Sequence, residues 1–391
     1  MTSPLCTLDV ARMRRGRIEK VRTAMDAAGV DVLLCCSQSN VSYVTGARVP
    51  SGDHARAGWW RPVAVFRREE DWPHLYTWFP DGAPADLPAE HLRAGVRVEA
   101  ADGAEQLARA LPRGVLALDD APFPLWQAVR DRNPIDASVV LAPAKLTKTR
   151  DELECIRQAQ SLNERAMRAV RPLAVPGARA TDLSGAFLRA VAELGAHANT
   201  VDPVFQVMPA SVGAGPYSVT GETVFPLPTR EQRLAAGDVM WVDSGINLYG
   251  YASDFGATWI IGREPDDRAR VHFARWRDVV DHVLAVVRAG ATGADLVRAA
   301  GTHHGERPWL SYFYLAHGIG TDSAEMPFVG TDLGDGFDAS LVLAPGMVLV
   351  FEPVIWEDGT AGHRSEEIVA VTADGYEWLS SRAELDGGLS S

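Results

Sequence analysis

Two aspartates stand where an apolar sheet has no obvious use for them. In residues 239–262, VMWVDSGINLYGYASDFGATWIIG, a β-prone run from Val239 to Val242 leads through Ser-Gly to a turn at 247–250, and 251–261 reads as the return strand. Residues that flank a hairpin turn at similar distances face one another, so Asp243 and Asp254, eleven apart, are expected to converge. Carboxylates held that close repel, and one stays protonated unless a cation lies between them. The alternative is that each aspartate caps a turn, since Asp-Ser-Gly and Ser-Asp-Phe-Gly are both turn-like.

Further residues downstream bear on that choice. His317 lies in LAHGIG, Glu352 follows the apolar run MVLVFEP, and Glu366 sits in GHRSEEIVAV, each beside a strand-like segment. The order Asp, Asp, His, Glu, Glu, with a glycine near each, resembles the metal-binding set of the pita-bread metalloenzymes, in particular the creatinase, prolidase and aminopeptidase P branch. The resemblance runs over roughly residues 149–380 and implies that Asp243, Asp254, His317, Glu352 and Glu366 bind two divalent metal ions. Four carboxylates and one imidazole suit Mn, Fe, Co or Zn, as a pair about 3.5 to 4 Å apart. It also implies that Glu352 is both ligand and proton carrier. On the last strand, alternation points Arg364 with Glu366 and turns His363 and Glu367 the other way. Arg364 then orients a ligand or a substrate carboxylate, or else holds Glu366 in place.

The chain before this region reads as a separate sheet domain. Residues 8–29 have helical spacing of Met13, Ile18, Val21 and Met25, ended by Gly29 before a buried strand, VDVLLCC. SQSNVSYVTGA follows, then RPVAVF, HLYTWF and RGVLALDD as short strands. The Asn40–Gly46 segment, NVSYVTG, resembles the N-terminal domain of the same branch. A Pro-containing linker gives way near residue 148 to an amphipathic helix with Leu153, Ile156, Ala159 and Leu162 in phase. Further helices are expected over 180–194, 268–288 and 293–305. The expected architecture is a two-domain α/β chain. A small creatinase-like N-terminal α/β domain, 1–148, precedes a C-terminal α+β pita-bread domain, 149–391, with a curved antiparallel sheet.

Charge and composition narrow the partners. A net charge of -13 argues against nucleic acid and anionic membrane. No apolar run of eighteen residues occurs, and a cytoplasmic location is expected. Four cysteines show no metal spacing, and adjacent Cys35 and Cys36 read as packed thiols rather than a bridge. The loop 50–62 concentrates His54, Trp59 and Trp60. In the resembling branch one subunit's N-terminal domain leans over its partner's active site, so a homodimer is expected, with this loop as the covering element.

The resemblance implies a dimetal hydrolase of the Xaa-Pro peptidase type acting on a short peptide or other small amide. A metal-dependent lyase on a small substrate, like the dimethylsulfoniopropionate lyase of the same group, is the second reading. A non-catalytic binding module is the third, disfavoured because all five ligands are kept. Three departures bear on this choice. The family histidine seven residues after the HGIG histidine is Ala324 here, and no histidine occurs between His197 and His272. The family's Ser-Asp-x-x-Arg-Thr becomes Ser253-Asp-Phe-Gly-Ala257-Thr258, without the arginine. Asp322, Ser323 and Glu325, Tyr217 or Thr220, and His54 of a second subunit are the candidate replacements. Cleavage of generic Xaa-Pro dipeptides is expected to be weak.

Overall fold

The structure, a computed structural model, describes residues 8–48, 60–196, 198–208, 233–309, 313–357 and 359–381. The chain divides into two compact units, Met1–Asp151 and Glu152–Ser391.

In the first unit the helix Val10–Ala28 begins at Asp9, whose carboxylate accepts from Arg12 N–H, and ends at Gly29 in the left-handed conformation. Strand β1, Val32–Cys35, is buried along its whole length. Leu33 and Cys35 join one core with Ile18, Met25 and Phe66, while Val32 and Leu34 join another with Val65 and Leu107. Burial on both faces is why this strand reads as an unbroken apolar run rather than an alternation. Ser37 then caps the helix Gln38–Thr45 by accepting from Asn40 N–H. Val41, Val44 and Thr45 hide that helix from propensity reasoning, because β-branched residues disfavour it and only packing overrides them. Strands β2, Val63–Arg67, β3, His74–Thr77, β4, Leu92–Ala94, β5, Leu116–Leu118, and β6, Ile135–Asp136, complete a mixed sheet of order β4-β3-β2-β1-β5-β6. The HLYTWF segment keeps strand pairing only through Thr77.

The second unit carries the long helix Arg150–Val170 and the helices Ala180–Glu193, Asp267–Leu284 and Gly293–Ala299, the last two shorter at their C-terminal ends than periodicity suggests. Its first sheet contains β7, Ala198–Val207, β8, Val239–Leu248, β9, Tyr251–Ala252, and β10, Phe255–Ile260, in the order β10-β8-β7 with β9 on β8. All pairings are antiparallel. Its second sheet is built from β11, Ala316–Gly318, β12, Glu325–Val329, and β13, Val348–Phe351. After the hairpin of β14, Ile355–Glu357, and β15, Ala361–His363, come β16, Glu367–Val371, and β17, Tyr376–Trp378. The second sheet runs β12-β11-β13-β16-β17, again antiparallel. Leu162, Met167, Phe187, Val242, Ile246 and Trp259 form the core between the first sheet and its helices.

Backbone bonds join the two sheets. Glu366 N–H donates to Gly256 O at 3.0 Å, Arg364 N–H donates to Thr258 Oγ1 at 3.0 Å, and Thr258 Oγ1 donates to Arg364 O at 2.7 Å. Residues 364–366 therefore run along β10, which brings the aspartate hairpin against the strands that carry His317 and Glu352.

The hairpin departs from the simple expectation in one respect. Strand β8 continues through Ser244-Gly245 and reverses at Tyr249 and Gly250, both at positive φ. The return strand breaks after Ala252: Ser253 N–H donates to Ile246 O, its hydroxyl accepts from Ile246 N–H, and Asp254 N–H leaves the ladder to donate to Gln160 Oε1 at 3.1 Å. In the cross-strand register Asp243 faces Gly256, not Asp254. The serine hydroxyl takes over a backbone role and shifts the phase of the returning strand. Among the described residues no helix is long and apolar enough to cross a membrane.

Candidate metal centre

The second unit buries its charge in one place. Asp243, Asp254, His317, Glu352 and Arg364 are all at most 7% exposed, and the Glu366 side chain is 1% exposed. His317 Nε2 lies 2.9 Å from Glu352 Oε1 and 3.4 Å from Asp254 Oδ2. Its Nδ1 lies 2.8 Å from the Gly318 carbonyl oxygen, which only accepts, so Nδ1 carries the proton and Nε2 is presented to the carboxylates. Arg364 Nη1 lies 3.1 Å from Asp243 Oδ2, and Nη2 lies 2.7 Å from Glu366 Oε1 and also pairs with Glu352 Oε2. As alternation along the strand predicts, His363 turns away, against Phe273 and Trp276, and Glu367 turns to Arg277.

Helix Arg150–Val170 braces the hairpin from behind. Gln160 holds the Asp254 backbone, and Asn163 exchanges two hydrogen bonds with Ser244, donating to its carbonyl and accepting from its hydroxyl, both at 2.8 Å. Gly256 makes room for the Glu366 carboxylate. A Cβ there would lie 2.6 Å from Glu366 Cδ and 2.9 Å from Arg364 Nη1. Aromatic rings line the arginine side, with Trp241 4.8 Å and Phe313 5.6 Å from its guanidinium carbon, and the Tyr314 ring meets His317 edge-on at 5.1 Å.

Four carboxylates against one guanidinium and one imidazolium leave two negative charges over, and the titration of the metal-free cluster reflects that excess. Burial pushes Asp243 up to about 7, with Arg364 opposing and Asp254 and Glu352 reinforcing. Burial and then Asp254 raise Glu366 well above the carboxylate range. Burial opposes a charged His317, but Glu352 and Asp254 outweigh it and lift the imidazole to about 10. Glu352 is also penalised by burial, yet Arg364 and His317 hold it below its ordinary value.

The donor set fits a divalent ion. One oxygen each of Asp243, Asp254 and Glu366 lies within 4.8 Å of the others. Asp243 Oδ1 and both Glu366 oxygens are buried without a hydrogen-bond partner, an arrangement that a cation relieves. His317 and Glu352 adjoin this trio through Asp254.

Comparison with known proteins agrees with this reading at the level of family. The model for metallopeptidase family M24 matches residues 154–373, more than half of the chain, and the model for the creatinase/prolidase N-terminal domain matches 17–77. The chain belongs to metallopeptidase family M24. It is 30% identical over 248 residues to a probable dipeptidase PepE of Mycobacterium tuberculosis, covering 62% of this chain and 60% of that protein. The match thus spans less than two thirds of that relative's length. A prolidase from Pyrococcus horikoshii superposes with a TM-score of 0.73 at 20% identity, over 94% of this chain and 99% of that one. The dipeptidase PepE from Mycobacterium ulcerans gives 0.74 at 21%, over 97% and 98%. These likenesses establish the two-domain pita-bread fold.

His54, Trp59, Tyr217 and Thr220 lie outside the described residues. Trp60 is exposed on the first unit. Asp322 and Glu325 form a tight loop after His317: Gly320 N–H donates to Asp322 O, and Asp322 N–H donates to Glu325 Oε2 at 3.4 Å. Ala324 is exposed. Sequence reasoning missed Gly256, Gln160, Asn163, Trp241 and Tyr314. Of these only Trp241 carried a signal, lying two residues before Asp243 and hence on the same strand face.

Two outcomes follow for this M24 centre. Gly256→Ala forces the Glu366 carboxylate to move by about 1 Å, so metal content falls and activity drops on the order of 100-fold while the fold is retained; normal metal content by elemental analysis would contradict the cradle. Because the folded-state pKa of Asp243 is raised, its proton competes with the ion below about pH 7, and the protons held by Glu366 and, up to about 10, by His317 continue the competition above it. Mn2+ uptake therefore releases protons and weakens as pH falls from 7, whereas ordinary carboxylates would keep affinity flat to about pH 5. Calorimetry in buffers of different ionisation enthalpy reads this directly.

Proposed function

We propose that the chain is a metal-dependent dipeptidase that holds two divalent ions on Asp243, Asp254, His317, Glu352 and Glu366 and hydrolyses short peptides or another small amide. The observation that carries the reading is the buried, charge-unbalanced cluster with unpartnered oxygens on Asp243 and Glu366. The names of the related dipeptidases and prolidase support the substrate class. The carboxylate-rich donor set supports Mn, Fe, Co or Zn, with manganese the working choice.

Divalent ions bound there supply a water of lowered pKa and polarise the scissile carbonyl. The chain's own residues do the rest. Glu352, kept ionised by Arg364 and His317, accepts the proton of the attacking water and passes it to the leaving nitrogen. Arg364 spans three carboxylates and fixes their orientation before substrate arrives. Trp241 and Phe313 pack on its guanidinium and shield it from water. Tyr314, whose hydroxyl is held protonated up to about 12 by burial and by Glu352, stays a hydrogen-bond donor beside His317.

The exposed Ala324 favours keeping a second reading, elimination by a metal-dependent lyase, because the place of a family imidazole holds no donor at all. Hydrolysis in heavy-oxygen water places solvent oxygen in a new carboxylate, and elimination leaves an unlabelled alkene. We expect labelled carboxylate, weak turnover of ordinary Xaa-Pro dipeptides, and a loss of roughly 100- to 10,000-fold in kcat for Glu352→Gln assayed at saturating metal. An alkene product sinks the hydrolase reading.

The boundary at 148 and the homodimer are carried here as proposals on the same resemblance. The concentration of His54, Trp59 and Trp60 in loop 50–62 motivates the second. Sedimentation at working concentration should give twice the chain mass, and a fully active monomer defeats it.

A further inference from the structure

A second group of ligand-type side chains lies in the first unit, where the proposed hydrolytic reading has no use for it. Strands β3 and β4 are parallel neighbours with Leu75 paired to Leu92. The residues just before that pair, His74 and His91, therefore stand side by side at the strand starts, with rings stacked at 4.4 Å and 21° apart. Glu70, in the connection between β2 and β3, reaches the same point, and its Oε2 lies 2.7 Å from His74 Nε2. One donor atom of each residue lies within 4.8 Å of the other two.

This arrangement is poorly satisfied by itself. His74 is 6% exposed, yet neither of its ring nitrogens makes an aligned hydrogen bond, and Glu70 Oε2 and His91 Nδ1 are likewise buried without one. A buried imidazole with both nitrogens unused costs free energy that a protein rarely leaves uncompensated. A charged His74–Glu70 pair is the plain alternative. Against it, burial pushes His74 below its ordinary value despite Glu70, and His91, Arg67 and Arg93 add to that push. Burial thus favours the neutral form of His74, the form in which imidazole offers a lone pair to a metal. Glu70 Oε1 is taken by Arg67 at 3.1 Å, which fixes the carboxylate and leaves Oε2 to the ring side.

We propose that Glu70, His74 and His91 form a divalent transition-metal site of the zinc class in the N-terminal unit, separate from the M24 centre. Two imidazoles and one carboxylate are a borderline donor set that selects Zn2+ or Co2+ over Mg2+ or Ca2+. Side-chain rotation closes the present separations to the ~3.3 Å between ligands around a tetrahedral ion, with water as the fourth ligand. The ion ties the β2–β3 connection, the start of β3 and the turn Ala89–His91 to one another. It so fastens β4, a three-residue strand at the sheet edge with two exposed positions.

The test uses the full chain carrying Asp243→Asn and Glu366→Gln, which disables the M24 centre whatever its function. Equilibrium dialysis against Zn2+ alone is expected to leave one equivalent more in this protein than in the same protein with His91→Gln added. Glu70→Gln, a near-isosteric change at a side chain that is 25% exposed, is expected to weaken that equivalent at least tenfold. Bound Co2+ should show visible absorption that both additions remove, and zinc should raise the melting midpoint only where the three residues are intact. Zinc content and cobalt spectrum indifferent to both additions would overturn the site. Failure of the dipeptidase reading leaves these measurements unchanged, because none of them reads turnover.

Discussion

The excess of negative charge inside the second unit is the constraint on which the rest of that unit depends. Removing an ion from water costs several kcal/mol even after relaxation, and four carboxylates share one guanidinium and one imidazolium. Such a cluster persists only if its backbone is held from outside and its surplus charge is met by protons or by a cation. Protons can meet it, as the raised Asp243 and Glu366 indicate. A bound cation meets the same demand without neutralising the ligands, so stability and metal affinity draw on one electrostatic debt rather than two.

The holding is done by elements far apart in the chain. Helix Arg150–Val170 fixes Asp243 through the Asn163–Ser244 exchange and Asp254 through Gln160. The bonds of Thr258 and Gly256 to residues 364–366 place Arg364 and Glu366. Gly256 acts by absence: it faces Asp243 across the ladder, and any side chain there would occupy the space of the Glu366 carboxylate. Here the family's Ser-Asp-x-x-Arg-Thr pattern is altered, and Ala257 in the place of its arginine leaves Arg364 as the arginine of the cluster among the described residues.

Much of this was legible in the sequence, and the illegible part has physical reasons. Asp243 and Asp254 stood out because charge in an apolar sheet is costly, His317, Glu352 and Glu366 through the resemblance to the family's ligand order, and the structure does bring all five together. The fold was legible through long periodic segments such as Val10–Ala28 and Arg150–Val170. The helix Gln38–Thr45 was not, since its β-branched residues argue locally for extended chain. The break at Ser253–Asp254 was hidden because a hydroxyl replaces a ladder bond there, an event with no periodic trace. Gln160 and Asn163 look like any polar residues on an amphipathic helix; only tertiary placement shows that they turn inward, both at most 2% exposed.

The same reasoning separates the two ligand groups by chemistry. The M24 cluster offers four carboxylates to one imidazole, while Glu70, His74 and His91 offer two imidazoles to one carboxylate. Oxygen-rich sets favour harder ions and imidazole-rich sets favour softer ones, so a chain exposed to mixed metals would sort them by donor type before geometry is considered. The sorting is reinforced by charge. The M24 cluster has negative charge in excess, whereas Arg67 and Arg93 beside the N-terminal group oppose the approach of a cation. Binding at the first unit must then rest on coordination by the imidazole lone pairs, which holds transition metals and leaves alkaline-earth ions with little reason to stay.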